Sequence, residues 1–403
     1  TGAIGTRRMT LAEKARLFEE QIDRRHRRTP YGYVLEVRLE RAGDAESGRQ
    51  TDSDNDGLWT AMYGAGECFA YAATKDAFHK ARAQRAFEAL KFLGDVTQGG
   101  TPAALPGFVA RTVLPVADGD PNLRPEYSPE GDRRKQMRDS LWKVLSPRWG
   151  LSADRKWYWK TDTSSDELDG HYFFYGVYHD LVAETPAEKE AVRKVVRGIT
   201  DHLLAHDLNY IDHDGQPTRW GVFSPAYLNR NRDWWEERSL NSLSILTYLK
   251  VAHVLTGDGK YDSAYQNLVR DHGYANNAIM AKPWTATGQG NQSDDEMAFM
   301  NYYNLLRYEK DAKLHELYAL SLSTYWDHER AELNPFFAFT AEAMLKGATF
   351  QDNGPRVELG LNGAAVPDAL DTLRRYPLDQ VNWAHTNAQR TDLVWLGTGR
   401  GRA

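Results

Sequence analysis

The stretch DTSSDELDGHYFFY, residues 162–175, sets the acids Asp166-Glu167 seven places ahead of the rings Phe173-Phe174. Residues 292–303, QSDDEMAFMNYY, repeat the plan: Asp295-Glu296 stand seven places ahead of Tyr302-Tyr303. In each case an acidic opening leads into a run that is aromatic or small on nearly every side, as for a helix packed all round. Each is followed by an amphipathic run, 187–206 after 166–184 and 312–326 after 294–309, as for a helix with one wet face.

Working outward, the same pairing recurs. Residues 57–73 and 77–94 form one pair, and 236–255 and 260–271 another, the first of these stopping at Thr256-Gly257-Asp258-Gly259. A helix at 335–346 opens after Asn334-Pro335, and the tail predicts helices at 367–375 and 386–396. An amphipathic helix at 9–25 and a short strand at 31–39 precede the first pair. Paired helices spaced by several dozen residues are the sign of a repeated helical-hairpin architecture, an open solenoid or a closed ring. Three long aromatic-rich segments, 96–163, 207–235 and 272–293, each precede the first member of a pair. They therefore gather at one end of the molecule, where long loops are usually functional. No break in composition separates two domains, so residues 1–403 read as one unit.

The 403-residue chain carries a net charge of −6, which argues against a dedicated nucleic-acid binder. No apolar run is long enough to span a bilayer. The one cysteine, Cys68, excludes disulfides within the chain and a thiolate-rich zinc site. HExxH, GxxxxGK[ST] and GxSxG signatures are absent. Gly397-Thr398-Gly399-Arg400-Gly401 resembles a phosphate loop without the helix that should follow it. Asn291-Gln292-Ser293 is a formal glycosylation sequon. No signal peptide is visible, but a start at Thr1 reads as trimmed, so a periplasmic or secreted protein with its leader removed is expected, with a cytoplasmic location as the alternative. The expected state is a monomer or small homo-oligomer.

The chain has 12 Trp and 21 Tyr against 14 Phe, so rings with a polar edge exceed purely apolar ones. Such rings either fill a large helical core or offer flat faces to sugar C–H groups. Trp142, Trp149, Trp157, Trp159, Trp234, Trp235 and Trp284 all fall in the long segments, where a ring has fewer core duties.

Among the acids, Ser164…Glu167 and Ser293…Glu296 match the S-x-x-E capping box and Asp233…Glu236 is a close variant, so Glu167, Glu296 and Glu236 have a purely local explanation. Asp166, Asp295 and Glu237 are explained less well by capping. Asp52-Ser53-Asp54-Asn55-Asp56-Gly57 matches the first half of a calcium loop, a candidate Ca2+ site at Asp52, Asp54 and Asp56. Its twelfth position is Tyr63, not the bidentate Glu such a loop requires. Otherwise Asp54 and Asp56 point into a cleft beside Trp59. His171, one turn beyond Glu167, is a candidate base, with Tyr172 next to it. Arg111 and Arg219, the latter beside Trp220, are candidates to grip a carboxylate. A DxDD-type terpene cyclase would share the helical architecture, but acids and polar rings suit a sugar better.

DSDNDGLWTAMY (52–63), PGFVAR (106–111) and DTSSDELDGHYFFY, on paired helices with acid-rich starts, resemble the six-hairpin glycosidase superfamily, with its (α/α)6 toroid. The resemblance implies an all-α toroid with long cleft-forming loops, a short β-hairpin insertion, and a central cleft at the inner-helix N-termini. It implies carbohydrate as substrate and no cofactor, without choosing among hydrolase, uronyl hydrolase, epimerase and lyase. Glycosidic hydrolysis needs one protonated and one ionised carboxyl group. The leading expectation is a glycoside hydrolase, acting on an oligo- or polysaccharide that includes uronates in one version. Asp166 is its first acid or base, with Asp54, Asp56 or Asp295 as partner and His171 nearby. Trp59, Arg111, Glu167, Tyr172, Arg219, Trp220, Trp234 and Glu237 are the expected substrate contacts. The alternative is a polysaccharide lyase with His171 or Tyr172 as base and Arg111 or Arg219 as neutraliser; a third reading is a non-catalytic glycan binder.

Overall fold

The computed structural model describes residues 8–41, 44–50, 52, 54–280, 292–376 and 378. The predicted helix at 386–396, Trp284 and the motif at 397–401 lie outside the described residues. Helix α1 (Leu11–Gln21) runs into a π-helical turn, Ile22–His26. Two small antiparallel ladders follow, β1 (Arg27–Arg28) with β2 (Tyr33–Val34) and β3 (Arg38–Leu39) with β4 (Gly48–Arg49). Among the described residues five helical hairpins come next. They are α2 (Asp56–Thr74) with α3 (Ala77–Asp95), and, after the short α4 (Pro129–Gln136), α5 (Ser165–Leu181) with α6 (Pro186–Ala205). After the one-turn α7 (Pro225–Leu228) come α8 (Arg238–Thr256) with α9 (Gly259–His272). Beyond the one-turn α10 (Tyr274–Asn277) lie α11 (Gln292–Tyr308) with α12 (Ala312–Glu329), and then α13 (Pro335–Leu345) with α14 (Ala365–Arg375).

The fold is an all-α toroid of helical hairpins. The sixth expected hairpin is represented among the described residues by α1 alone, which joins the last hairpin to the first. Lys14 donates to the carbonyls of Leu373 at 2.6 Å and Arg374 at 3.2 Å, beyond the end of α14's ladder, and Phe18 meets Tyr376 edge-on. On its other flank Glu19 accepts from Tyr63 of α2 at 2.7 Å and pairs with Arg82 of α3.

The helices α2, α5, α8, α11 and α13 form the inner layer. The burial of α5 is nearly complete, which is why its sequence lacks a polar stripe. The outer helix α6 has a wet face, a Thr185–Glu188 capping box and Pro186 in its first turn. Small residues set the closest inner approach: a Cβ added to Gly170 of α5 would lie 2.9 Å from Leu58 Cα of α2. Of the inner helices, α2, α5, α8 and α11 run parallel. Gly170 faces Leu58 and Ala61, and Gly64 faces Phe174 farther along. Asn301 donates to Asp169 and Asn304 to the Tyr172 carbonyl, while Tyr308 reaches the Gly176 carbonyl. Asn301 also meets Ser244 of α8, and Lys250 of α8 pairs with Glu309 just past α11. Their N-terminal ends therefore share one end of the ring, the end predicted from the long segments.

Those segments hold more β structure than the expected short hairpin. Residues 96–163 carry a three-stranded antiparallel sheet of β5 (Val113–Pro115), β6 (Trp149–Leu151) and β7 (Trp157–Lys160), with β7 central. β8 (Asn209–Ile211) and β9 (Pro217–Val222) form a bulged hairpin, and β10 (Thr349–Phe350) pairs with β11 (Val357–Glu358).

The packing makes opposite predictions for two glycines. Gly170→Ala forces apart α2 and α5 and should lower stability by about 1–3 kcal/mol. Gly66→Ala, on an exposed face of α2 with nothing near the added carbon, should raise it by about 0.5–1 kcal/mol. Urea-unfolding midpoints of the two variants check both signs.

Candidate functional site

The site is built around the start of α2, which is capped by another helix. Glu167 of α5 accepts from the Gly57 N–H at 2.8 Å and the Leu58 N–H at 3.3 Å. A Cβ at Gly57 would lie 2.3 Å from that carboxylate, so glycine is required for the approach. The expected capping boxes do not form. Ser164 is the N-cap of α5 without a side-chain bond, α8 begins two residues after Glu236, and α11 begins at Gln292, so Glu296 lies in its second turn. Burial, reinforced by the adjacent Asp166, raises the Glu167 carboxyl well above the usual carboxylate range. It is sealed from solvent, and so cannot serve as a substrate contact.

Around this cap the mouth of the ring assembles a first acid cluster. Asp166, half-buried, accepts from the Glu167 N–H at 2.9 Å. In the amide orientation that satisfies both of its ends, Asn55 donates to Asp166 Oδ2 at 3.2 Å and to the Asp54 carbonyl at 3.0 Å. Arg111 donates to two main-chain carbonyls, Asp54 at 2.8 Å and Asp162 at 3.3 Å. Burial disfavours its charge, yet the fields of Asp166, Asp54 and Glu167 more than offset this and raise its pKa. Asp54, in a left-handed conformation, pairs with Lys160; against the effect of burial, Lys160 and Arg111 hold it below the ordinary range.

A second cluster stands at the starts of α8 and α11. Burial, and then the charges of Asp294 and Glu236, push the Glu237 carboxyl up to about 7. Glu296 is likewise pushed up to about 7, by burial and then Asp295 and Glu332. The side chain partly open to the mouth is Asp294; the predicted Asp295 is buried and accepts from Tyr325 at 2.5 Å.

Other predicted site residues are turned inward. Asp56 is wholly buried, paired with Arg28 and bonded to Thr112 at 2.7 Å, so it fastens α2 to the sheet and faces no cleft. His171 is fully buried, with Nδ1 2.9 Å from the Tyr175 hydroxyl; burial lowers its pKa to about 3. Tyr172 is sealed, bonded to Thr200 and stacked on Tyr248. Neither of the two expected lyase bases reaches the mouth. Trp59 leans on the core, and Trp234 is buried between Trp220 and Tyr227; Trp235, 56% exposed, is the open ring of that segment. The half-calcium motif does not converge. Asp52 accepts from Tyr127, Asp54 pairs with Lys160 and Asp56 with Arg28, and no metal-like cluster occurs among the described residues. No helix among the described residues is long and apolar enough to cross a membrane.

Beside the first cluster lies a cavity of about 130 Å³ lined by Arg111, Lys135, Lys160, Arg219, Tyr127 and Trp142, among others. Arg219, expected as a carboxylate grip, is paired with Asp139 and lies over the Trp220 and Trp142 rings. Lys135 and Lys160 carry no motif, and sequence reading missed them.

No family model matches the chain, and no curated protein matches it. Among solved structures it is similar to a glycoside hydrolase family 76 (mannosidase) protein of Bacteroides thetaiotaomicron. The identity is 10% over 90% of this chain and 98% of that one, with a TM-score of 0.31. A likeness of that degree carries no inference about chemistry.

The inter-helix cap is open to test. Glu167→Ala strands two N–H groups and should cost about 1–3 kcal/mol, and Glu167→Gln, which keeps one acceptor, less. Because the folded-state pKa is raised, the wild-type contribution is complete below the ordinary glutamate pKa. It is lost as pH rises through the folded value. The Gln variant should lack that dependence in urea unfolding at acid and alkaline pH.

Proposed function

We propose that the chain hydrolyses a glycosidic bond at the mouth where the inner helices start. One observation carries the reading: the same end of the ring holds Glu237, whose carboxyl is raised to about 7, and two further acids, Asp166 in the field of Arg111 and Asp54 paired with Lys160. Glu237, raised to about 7, is suited to protonate a leaving oxygen. Asp166, half-buried beside Asn55 and Arg111, is suited to activate water or to attack directly. When Glu237 gives up its proton, its new charge meets those of Asp294 and Glu236, which draws the proton back for the next turnover. Trp235 offers an open face to sugar C–H groups. Asp56 and Asp295 leave the list of partners because both are buried and committed to hydrogen bonds.

The test is a panel of neutral and acidic oligosaccharides with products read by mass and ultraviolet absorbance. Hydrolysis adds one water per cut; elimination leaves the summed mass unchanged and creates an absorbing double bond, which would refute the reading. Asp166→Asn should lower kcat by about 10²–10⁴-fold. Activity should fall as pH rises through about 7, where Glu237 loses its proton. Glu237→Gln should remove that limb along with most of the rate on substrates with poor leaving groups. An unchanged alkaline limb in this variant excludes Glu237 as the acid.

A further inference from the structure

The cavity beside Arg111 is cationic and polar where a neutral sugar would need none of this. Its five basic side chains come from distant parts of the chain: Arg111, Lys135, Arg148, Lys160 and Arg219. The carboxylates on its wall are largely committed. Asp54 pairs with Lys160, while Asp162 accepts from the Arg219 N–H at 2.9 Å and stands 3.4 Å from Arg148. Arg148 is also held by Asp132 at 3.0 Å, and Arg219 by Asp139; Glu126 lies at the exposed rim.

Two cations stand outside direct ion pairs, although the fields of Asp166, Asp54 and Glu167 reach Arg111. Among the described residues neither Arg111 nor Lys135 has a carboxylate within ion-pair distance. Arg111 spends its N–H groups on carbonyls, and Lys135 donates to the Glu126 carbonyl at 3.2 Å while standing 4.5 Å over the Trp142 ring. Arg219 contributes a buried Nε without a hydrogen-bond partner, its guanidinium 4.5 Å from the Trp220 ring centre and 5.2 Å from that of Trp142. Like charges thus face one another: on top of burial, Arg111 disfavours the charged form of Arg219, and it disfavours that of Lys160 against the stronger pull of Asp54. An anion in the cavity relieves that repulsion. At about 30 Å³ per water-sized group, a space of about 130 Å³ admits one oxyanion group and the carbon that bears it.

We propose that this cavity is a subsite for an oxyanion substituent of the sugar, a carboxylate or a sulfate, gripped by Arg111, Arg219 and Lys135. The substrate is then an acidic glycan bound with its charged group next to the Asp54–Asp166 cluster, an inference that rests on the carbohydrate reading above. Trp142 and Tyr127 flank the charged group, and the aromatic wall of Trp220 continues outward from it.

The test uses three probes on the full chain: a hexuronate oligosaccharide, the same compound after carboxyl reduction, and a sulfate ester of the reduced compound. Binding is read by calorimetry and tryptophan fluorescence. The uronate, the sulfate ester or both should bind at least tenfold more tightly than the neutral compound, and the preferred one identifies the source of the anion. That preference should shrink as salt rises. Lys135→Met, at a half-exposed position, should remove most of it without moving the thermal midpoint, and Arg219→Gln is the second variant. Equal binding of neutral and anionic probes, no binding of any, or a preference untouched by both variants would overturn the subsite. Anion-selective binding without cleavage upholds the subsite and removes the hydrolase reading. Equal cleavage of the neutral probe, with no anion preference, removes the subsite alone.

Discussion

The rest of the mouth depends on one hydrogen-bonded carboxyl, that of Glu167 against the first N–H groups of α2. The start of a helix leaves donors that its own backbone cannot satisfy, and in α2 the side chain of the N-cap Asn55 makes no capping bond. A side chain from α5 does the work instead, so the two helix starts are locked at one height. That lock fixes Asp166, one residue before, against Asn55 and Asp54, which immediately precede α2. Moving the cap would move the whole first cluster. Gly57 and Gly170 belong to the same constraint, because a side chain at either position collides with the partner helix.

The constraint also sorts the acids. Neighbours on a helix point about 100° apart, so an acid pair at an inner-helix start sends one carboxyl inward and leaves the other toward the mouth. On α5 the inward member is Glu167 and the outer one Asp166; on α11 Asp295 goes inward and Asp294 stays at the mouth. The inward acids hold helices together. Asp169 completes the set in the middle of the ring, bonded to Tyr248 at 2.5 Å and Asn301 at 2.8 Å, and so ties α5, α8 and α11 through one buried carboxyl, raised to about 7 by burial. Buried polar groups of this kind demand partners, which fixes the rotation of each inner helix and thereby decides which acid meets solvent.

The hairpins were legible because their signal is local. The hydrophobic period marks the ten helices of the five hairpins to within a few residues but not the short α4, α7 and α10, which lie in the long segments, and the end of the ring where those segments collect follows from chain order. The small sheet in residues 96–163 was not legible, since strands of three or four residues carry too little alternation to register. Which member of each acid pair faces the mouth was not legible either. An S-x-x-E match predicts a capping bond only when the helix starts at the serine's successor, and in α11 it starts earlier. The cavity cations had no local signal: Lys135 ends a charged helix, Lys160 ends a strand, and Arg111 and Arg219 lie in separate loops and strands. Only the folded chain brings them together.

The excess of polar rings divides between the two duties that composition leaves open. Tyrosine serves mainly the core, where a buried hydroxyl must find a partner. Tyr172 bonds to Thr200, Tyr302 to Ser321 and Tyr265 to Glu309, each tying one helix to a neighbour or its end, and Tyr274 bonds to the Phe223 carbonyl just after β9. Tryptophan is split. Trp149 and Trp159 are sealed in the three-stranded sheet, whereas Trp142, Trp220 and Trp235 stand at the mouth. Two of these three share the guanidinium of Arg219, and Trp142 also lies under Lys135 and Arg148. Rings held by cations keep one orientation at little entropic cost. A flat face and a positive charge presented side by side are what the proposed acidic-glycan subsite draws on, one for the apolar side of a sugar and the other for an anionic edge.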